Sequence, residues 1–403
     1  MNRTNHQISR RVVWLLAFST GCIVANIYYV QPLLADIARD FGLSVSQIGA
    51  VAMLAQIGTG LGMLFFVPLG DKYERRSLIS TLLVGESIAL AFVASAPVPN
   101  VIWLSLACFC VGAAAATVHV IVPLAAHLAP PKERGRIVGT VLSGLLVGVL
   151  LARTFSGITG AQYGWRTVYW FASALMLGLA LTLRVSLEKS QPEVSLKWVE
   201  LMRSVWSLAV EHSTLREAAL LACLLFLSFS TLWTTLVFLL RTPPYHYGTT
   251  AAGLFGLLGA SSAAAAPFVG RLSDRHGPER SILVAIVATL AGYVLLLFFG
   301  RVLPGLIAGI ALIDVGVQSG HVANQSRIYS LAPAARSRIN TFYMVAFFVG
   351  GALGSYLGPL GFNRAGWTGF CAIPLAALVF SLVYFIRAES QRRQNSLARI
   401  VTS

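Results

Sequence analysis

Two short stretches of the sequence decide the fold: GDKYERR at residues 70–76 and GRLSDRHGPER at residues 270–280. Both place an aspartate shortly before basic residues, and Asp71 and Asp274 are 203 positions apart. Four further pairs recur at an offset of 202: His119 with His321, Arg134 with Arg336, Gly148 with Gly350, and Trp165 with Trp367. Landmarks at one nearly constant offset indicate that the chain is a duplicated unit.

The composition identifies lipid as the solvent of this duplicated chain. Of 403 residues, 56% are hydrophobic and only 11% are charged, whereas soluble domains carry about 25% charged residues. A soluble protein of this size cannot bury so much apolar surface. A soluble enzyme, a disordered scaffold and a nucleic-acid binder are therefore excluded, and we expect a lipid bilayer but no nucleic acid among the partners.

The apolar runs predict an all-α polytopic membrane protein with twelve spans, since a span needs about 20 apolar residues. Residues 1–185 and 217–387 are predicted to form two six-helix bundles. Residues 186–216 form a cytoplasmic linker with an amphipathic helix, and residues 388–403 form a basic cytoplasmic tail. The runs begin near Val12, Ile48, Leu78, Val101, Ile137, Thr167, Ala218, Ala251, Ile282, Leu303, Thr341 and Thr368.

The basic residues predict the orientation. With twelve spans, 24 of the 30 Lys and Arg residues fall on the side of the termini, five fall on the opposite side, and Arg153 lies within a span. Cytoplasmic loops concentrate Lys and Arg, which also accounts for the net charge of +15. Both termini are therefore predicted to be cytoplasmic in a bacterial inner membrane.

Signals for catalysis and for cofactors are missing from the sequence. The five cysteines lie in apolar runs without metal-ligand spacing, which indicates neither a disulfide framework nor a metal site. The phosphate-binding pattern G-x-x-x-x-G-K-[ST] does not occur, so energy from ATP by that route is not expected. We predict no enzyme activity and no cofactor, and energy from an ion gradient.

The loop motifs resemble the signature of the major facilitator superfamily, approximately G-x-L-a-D-r-x-G-r-r. Residues 270–280 follow its core, whereas residues 67–76 depart from it at Val67 and Glu74, where the signature has glycine. The stretch NIYYVQPLL at residues 26–34 is similar to bacterial efflux members of that superfamily. The resemblance covers the whole chain and implies two pseudo-symmetric six-helix bundles, a monomer, and a central cavity lined by spans one, four, seven and ten.

By this resemblance the two loop motifs gate the cytoplasmic side, where a carboxylate can interact with a neighbouring helix N-terminus and with arginines. The predicted gating residues are Gly70, Asp71, Arg75, Arg76, Gly270, Asp274, Arg275, Gly277 and Arg280. The chain departs from drug–proton antiporters elsewhere. Span five lacks their glycine–proline stretch, and Cys108 takes roughly the place of their span-four arginine.

Ionisable groups inside spans are costly and usually functional. Asp314, Gln318 and His321 are spaced by four and three residues, which predicts a polar stripe on one face of span ten. A carboxylate removed from water and a histidine suit proton binding near neutral pH. We hypothesise that Asp314, with His321, binds a coupling proton; a static hydrogen-bonded layer is the alternative. The other polar intramembrane candidates are His119, Glu86 and Arg153.

Arg153 has two interpretations, because an arginine stays charged at any working pH. It binds an anionic group of the substrate, or it pairs structurally with Glu86 or another carboxylate. Further polar and aromatic residues of the spans are candidates for the walls of the substrate cavity: Asn26, Tyr29, Gln31, Gln56 and Trp233.

Three functions fit the sequence. The first is proton-coupled export of small organic molecules by antiport. The second is proton-coupled uptake by a symporter of the same fold, which shares every feature above. The third is a membrane sensor that does not transport, but the tail after Arg387 is short and basic, unlike a signalling domain.

Overall fold

The computed structural model describes residues 9–130, 132–189, 198–261, 277–332 and 335–402. Within these ranges the chain is helical and contains no β-strand, as predicted. The helices are α1 (Arg10–Tyr28), α2 (Val30–Phe41), α3 (Val45–Lys72), α4 (Arg75–Ala94), α5 (Val101–Ala115), α6 (Val118–Leu128), α7 (Arg134–Tyr163), α8 (Trp165–Ser186), α9 (Trp198–Glu211), α10 (Ser213–Arg241), α11 (Thr249–Phe255), α12 (Pro278–Phe299), α13 (Leu303–Tyr329) and α14 (Arg336–Thr402).

Local sequence explains where several helices begin. Ser44 and Gln47 form a reciprocal capping box before α3, which satisfies backbone N–H groups that the first turn leaves without partners. The side chain of Asn100 caps α5 by accepting from the Trp103 amide at 3.0 Å. Gly277 precedes α12 at a φ of +84°, a conformation that a residue with a Cβ rarely adopts.

The described residues contain eleven of the twelve predicted spans and the beginning of the eighth. Ten helices of the described residues are long and apolar enough to cross a membrane, and Thr249–Gly259 is a shorter apolar helix. The last of the ten leaves helical geometry at Ala365 and Gly366. Gly164, which lies 202 positions before Gly366, separates α7 from α8. The break in α14 is therefore the junction of two spans.

Apolar side chains cover the outside of these helices. On α4, Val84, Ile88 and Phe92 recur four residues apart and are 38%, 51% and 49% exposed. A helix surface of this kind is stable against lipid, whereas water would penalise it. The protein is accordingly a membrane protein.

Packing divides the chain into two compact units. Unit 1 consists of Met1–Ser204 and Leu236–Leu257, and unit 2 of Val205–Thr235 and Leu258–Ser403. In unit 1, α1 packs on α7, α3 on α5 and α4 on α8; in unit 2, α12 packs on α13 and α14. The boundaries of these units differ from those of the sequence repeats. The segment Leu236–Leu257 belongs to the second repeat by sequence but packs in unit 1.

The duplication is visible in the helix contacts. A Cβ added to Gly148 of α7 would overlap the carbonyl oxygen of Gly21 on α1, and a Cβ added to Gly350 of α14 would overlap that of Cys223 on α10. Both members of the second pair lie 202 positions after those of the first. Each repeat therefore joins its first and fifth spans through the same close backbone approach, which small residues permit.

The linker contains the predicted helix, as α9. Val205 and Ala209 are buried, while Arg203, Ser207 and Glu211 are exposed, as the amphipathic pattern requires. Trp206 and Val210 are exposed as well, so apolar residues occupy two faces of this helix. The side chains of Trp198 and Leu201 lie outside the described residues.

Candidate functional site

Arg153 lies within α7 and is only 2% exposed. Its Nε donates a hydrogen bond to Gln31 Oε1 at 2.6 Å, and Nη1 donates to the Val149 carbonyl at 3.4 Å. The guanidinium also lies over the Tyr28 ring, 4.8 Å from its centroid. A cation–π contact of this kind stabilises a desolvated cation. The first span of unit 1 thus supplies both an amide and an aromatic ring to this charge.

Glu86 of α4 forms a second polar group in unit 1. It is fully buried, and its Oε1 accepts a hydrogen bond from Asn26 Nδ2 of α1 at 2.8 Å. The other carboxyl oxygen of Glu86 has no hydrogen-bond partner among the described residues. The ion pair between Arg153 and Glu86 that the sequence left open does not form, because each group is held by a different amide of the first span.

The other candidates of unit 1 lie at the junction of α1 and α2, on α3 and on α6. Tyr29 joins α1 to α2 and contacts the ring of Phe155, with 5.8 Å between centroids. Gln56 of α3 is 5% exposed, and within the described part of the chain its Oε1 has no hydrogen-bond partner. His119 is half-buried in α6, directly after the break at Ala116 and Thr117 that divides span four.

Asp314 lies in the middle of α13 in unit 2 and is 2% exposed. The indole Nε1 of Trp233 on α10 donates to Asp314 Oδ1 at 3.1 Å. Trp233 itself is 2% exposed. Nearby, the hydroxyl of Tyr293 on α12 donates to the Ser228 carbonyl at 2.6 Å. The sequence predicted Trp233 and Asp314 as separate candidates, and the structure joins them.

His321 lies two turns after Asp314 on α13, and its contacts differ. Its Nδ1 is 3.1 Å from the Tyr343 hydroxyl of α14, and the Phe347 ring lies 4.7 Å from its own. Gln318, between the two, is half-buried. The predicted stripe therefore contacts two helices, with Asp314 meeting α10 and His321 meeting α14.

The first gating motif is a helix junction. Arg75 is buried and its Nε donates to the Gly70 carbonyl at 3.0 Å, while Arg76 Nη1 donates to the Leu187 carbonyl at 3.2 Å. Glu74, which departs from the family signature, caps α4: its carboxylate accepts from the amides of Arg76 and Ser77 at 3.0 and 2.9 Å. An acidic group at this position is favoured by the helix dipole.

The structure describes the second gating motif only from Gly277 onward. Gly270, Asp274 and Arg275 lie outside the described residues, as does the side chain of Asp71. Gly277 forms the turn before α12, and Arg280 is exposed. The aspartates to which the gating role was assigned are therefore not described, and that role stays a prediction.

A buried ion cluster in unit 2 was missed by the sequence analysis. Arg327, near the end of α13, donates to both carboxylate oxygens of Glu217 at 3.1 Å and lies 3.7 Å from Glu279. Arg392 also donates to Glu217, at 2.8 Å. Helix α14 continues through Arg392, so the predicted basic tail begins inside a helix that this cluster anchors. The sequence analysis counted Arg327 with the basic residues of the loop after span ten, where a cation is expected, so no signal marked it.

A second missed cluster lies on the outer side, meaning the side predicted to be opposite the termini. Asp36 of α2 accepts from Arg241 at 2.6 Å and from the Thr249 hydroxyl, and it forms an ion pair with Arg39 at 3.2 Å. A cavity of about 640 Å³ opens beside these residues and is also lined by Trp165. Arg39 and Arg241 are separated by the repeat offset of 202, and this spacing could have identified the cluster.

The outer loop beside this cavity, residues 242–248, contains no Asp, Glu, Lys or Arg. Burial raises the pKa of the Tyr245 phenol, and neighbouring Tyr247 adds to the shift. The phenol is therefore protonated at physiological pH. In the described part of the chain, no group of three His, Cys, Asp or Glu side chains could hold a metal ion.

Comparison with known proteins agrees with this architecture. The chain matches the Major Facilitator Superfamily over residues 16–300 and 218–400. It is 39% identical to an uncharacterized transporter, YgaY, of Escherichia coli O157:H7, over 98% of this chain and 100% of that protein. It is 25% identical to the multi-drug resistance efflux pump PmrA of Streptococcus pneumoniae, over 95% and 96% of the two chains.

Solved structures share the fold. The nucleoside transporter NupG, as its D323A mutant, superposes with a TM-score of 0.77 at 13% identity, covering 93% of this chain and 98% of that one. A bacterial homolog of the human lysosomal transporter Spinster gives a TM-score of 0.71 at 16% identity, with coverage of 94% and 95%. The duplicated helices, the buried intramembrane charges and these matches together show that the chain is a multi-pass membrane transporter of the major facilitator superfamily.

Proposed function

We propose that the protein exports small organic molecules across the bacterial inner membrane in exchange for protons, by alternating access. In this proposal it acts as a monomer with both termini in the cytoplasm. The loop motifs around Asp71 and Asp274 gate the cytoplasmic side. Asn26, Tyr29, Gln31, Gln56 and Trp233 contribute to the path of the substrate.

The observation that carries the proposal is the buried carboxyl of Asp314, which the indole of Trp233 contacts at 3.1 Å. A carboxylate within a span is costly unless it is paired or functional. A carboxyl buried at mid-span is the type of group that binds and releases a proton during transport. In this proposal Asp314 carries the coupling proton, and His321 on the same helix face is a second proton carrier near neutral pH.

The direction of transport is supported by a relative. The relative that is 25% identical over 95% of this chain is named a multi-drug resistance efflux pump, which favours export over uptake. Substrates are expected to be small and partly apolar, because few fixed charges occur among the buried aromatic side chains. Uptake by proton symport is the competing function, since the residues that bind the proton would be the same.

The test is transport by purified protein in proteoliposomes, with ligands first chosen by a thermal-shift screen of metabolites and drugs. We expect Asp314→Asn to reduce transport driven by a pH gradient at least 100-fold, because an amide cannot carry the proton. Exchange of labelled for unlabelled substrate without a gradient should continue, because substrate binding is retained. Gradient-driven transport at the wild-type rate in Asp314→Asn would contradict the proposal.

Two controls sharpen this test. Glu86→Gln removes the buried carboxyl of unit 1 in the same way, and gradient-driven transport by this variant should exceed that of Asp314→Asn at least tenfold. The sign of the pH gradient decides direction: export by antiport requires the substrate to move against the proton flow. Movement of substrate with the protons would establish uptake instead.

A further inference from the structure

The segment Leu236–Leu257 is built from the outer ends of spans seven and eight, yet it packs in unit 1 with residues of the first repeat. Two sets of contacts hold it there. One is the ion cluster around Asp36, and the other is a close approach of α7 and α11. Both lie on the side predicted to be outer.

The ion cluster is a closed arrangement of three side chains. Arg241 donates to Asp36 at 2.6 Å and to the Thr249 hydroxyl at 2.9 Å, and that hydroxyl donates to the second oxygen of Asp36. The side chain of Asp36 is 14% exposed and that of Arg241 is 29% exposed. Partial burial makes such a charge-assisted pair stronger than an exposed surface ion pair.

The approach of α7 and α11 covers Arg153. A Cβ added to Gly157 would lie 2.6 Å from the Cα of Gly253, and one added to Gly256 would lie 2.6 Å from the Cβ of Arg153. The Thr154 hydroxyl also donates to the Gly253 carbonyl at 3.1 Å. The intramembrane cation is therefore buried partly because α11 lies against it.

From these contacts we propose that Asp36 is a positioning residue for transport: it holds α11 and the end of α10 against the first repeat, and its release opens the outer side toward Arg153. The inference rests on the proposed alternating-access function. In each cycle the pair of Asp36 with Arg241 breaks, α11 leaves the seam with α7, and Arg153 becomes accessible from outside.

Arg39 lowers the free-energy cost of breaking the pair of Asp36 with Arg241. It lies on the same helix as Asp36, three residues later, and its Nη2 is 3.2 Å from the same carboxylate oxygen that Arg241 contacts. When Arg241 departs, Asp36 keeps a cationic partner, so the carboxylate is never left unpaired. Arg39 and Arg241 occupy equivalent positions of the two repeats. The carboxylate of Asp36 therefore pairs with the equivalent arginine of each repeat.

The first experiment measures opening without measuring transport. Thr154→Cys places a thiol at the seam, and its reaction with a membrane-impermeant methanethiosulfonate is followed in right-side-out membrane vesicles. The same chain without this change gives the background from the native cysteines. We expect Asp36→Asn and, independently, Arg241→Gln to accelerate labelling about tenfold, whereas Arg39→Gln slows it, because Asp36 then loses the cation that pairs with it in the open state. An unchanged rate in both folded variants would overturn the proposal.

The second experiment locks the cluster. In Asp36→Cys with Thr249→Cys, oxidation should form a disulfide that holds the outer side closed, and substrate exchange should stop until a reductant is added. Continued exchange with the disulfide formed would overturn the proposal. If the wild-type protein exchanges no substrate, the proposed transport function fails, but the labelling rates still report whether Asp36 closes the outer side.

Discussion

The two repeats use the same backbone contacts and different polar chemistry. In the first, Arg153 of α7 contacts Tyr28 and Gln31 of the first span. In the second, the equivalent residue is Ser355 of α14, which contacts the hydroxyls of Ser230 and Thr234 at 2.7 and 3.3 Å. Positions 153 and 355 are 202 apart, as are positions 28 and 230. The same helix seam therefore carries a cation in unit 1 and three neutral hydroxyls in unit 2.

The carboxyls are also placed differently. In unit 1, Asn26 of the first span donates to Glu86; in unit 2 the position equivalent to Asn26 is Ser228, whose carbonyl accepts from Tyr293. The buried carboxyl of unit 2 is Asp314 on α13, and the residue equivalent to it in unit 1 is Gly112. The glycine contacts that position the helices are the same in both repeats. The charged groups, which determine the chemistry, differ between the repeats.

The largest expected effect tests the shared part of this comparison. Gly148→Val and Gly350→Val should each reduce the yield of folded protein at least tenfold, because the added side chain would overlap the backbone of Gly21 or Cys223. Gel filtration of detergent-solubilised protein measures the yield. Gly139→Val, on α7 with nothing within 4 Å of its Cβ position, should leave the yield unchanged. A large loss for only one of the two seam glycines would show that the repeats pack differently.

The next largest effect concerns the buried ion pair of Arg327 with Glu217 in unit 2. Arg327→Met leaves the buried carboxylate of Glu217 without its bidentate partner, and breaking such a pair costs about 3–5 kcal/mol. We expect unfolding in sodium dodecyl sulfate to show a loss of this size. The equivalent positions in unit 1 are Ala125 and Leu15, so that unit has no counterpart to lose.

Arg392→Met is the matched control for this cluster. Arg392 contacts the same Glu217 oxygen, but its side chain is 35% exposed against 5% for Arg327. Water can replace a half-exposed partner, so the loss should be about 1 kcal/mol or less. Equal losses for the two variants would mean that burial does not set the strength of the cluster.

The fold was largely predictable from the sequence, for a physical reason. Lipid requires each span to satisfy its own backbone, so apolar length alone located helices such as α4 and α8 to within a few residues. The offset of 202 gave the duplication. The packing units were not predictable, because the segment Leu236–Leu257 leaves its own repeat through contacts of Asp36 and Gly253, which no periodicity records.

The sequence predicted which residues form the candidate site, but it did not predict which of them contact one another. Hydropathy singled out Glu86, Arg153 and Asp314, because a charge in an apolar run is visible in the sequence. Which amide or indole contacts each charged group depends on how the helices are rotated about their axes. A single sequence does not reveal that rotation. For the same reason the ion cluster of Glu217 and Arg327 went unnoticed: both residues lie at span ends, where charge is expected.

A smaller effect tests whether the divergent chemistry matters for function. Arg153→Gln removes the cation of unit 1 but keeps a hydrogen-bonding side chain opposite Gln31. We expect transport to fall about 100-fold, equivalent to about 2.7 kcal/mol, with the thermal midpoint of unfolding lowered by only a few degrees. Initial rates in proteoliposomes measure the first quantity. Wild-type rates in Arg153→Gln would show that this cation is only a packing element.

The smallest effect is expected at the equivalent position of unit 2. Ser355→Ala removes a hydroxyl that bridges Ser230 and Thr234, and hydrogen bonds between transmembrane helices contribute on average about 0.6 kcal/mol each. Stability should fall by about 1 kcal/mol, and transport should stay within twofold of wild type, because no charge is lost. A double-mutant cycle of Ser230→Ala with Ser355→Ala isolates the 2.7 Å contact, and its coupling energy should be below about 1.5 kcal/mol. If Ser355→Ala impairs transport as severely as Arg153→Gln, the hydroxyls of unit 2 and the cation of unit 1 perform the same task, and the two repeats are functionally symmetric despite their different chemistry.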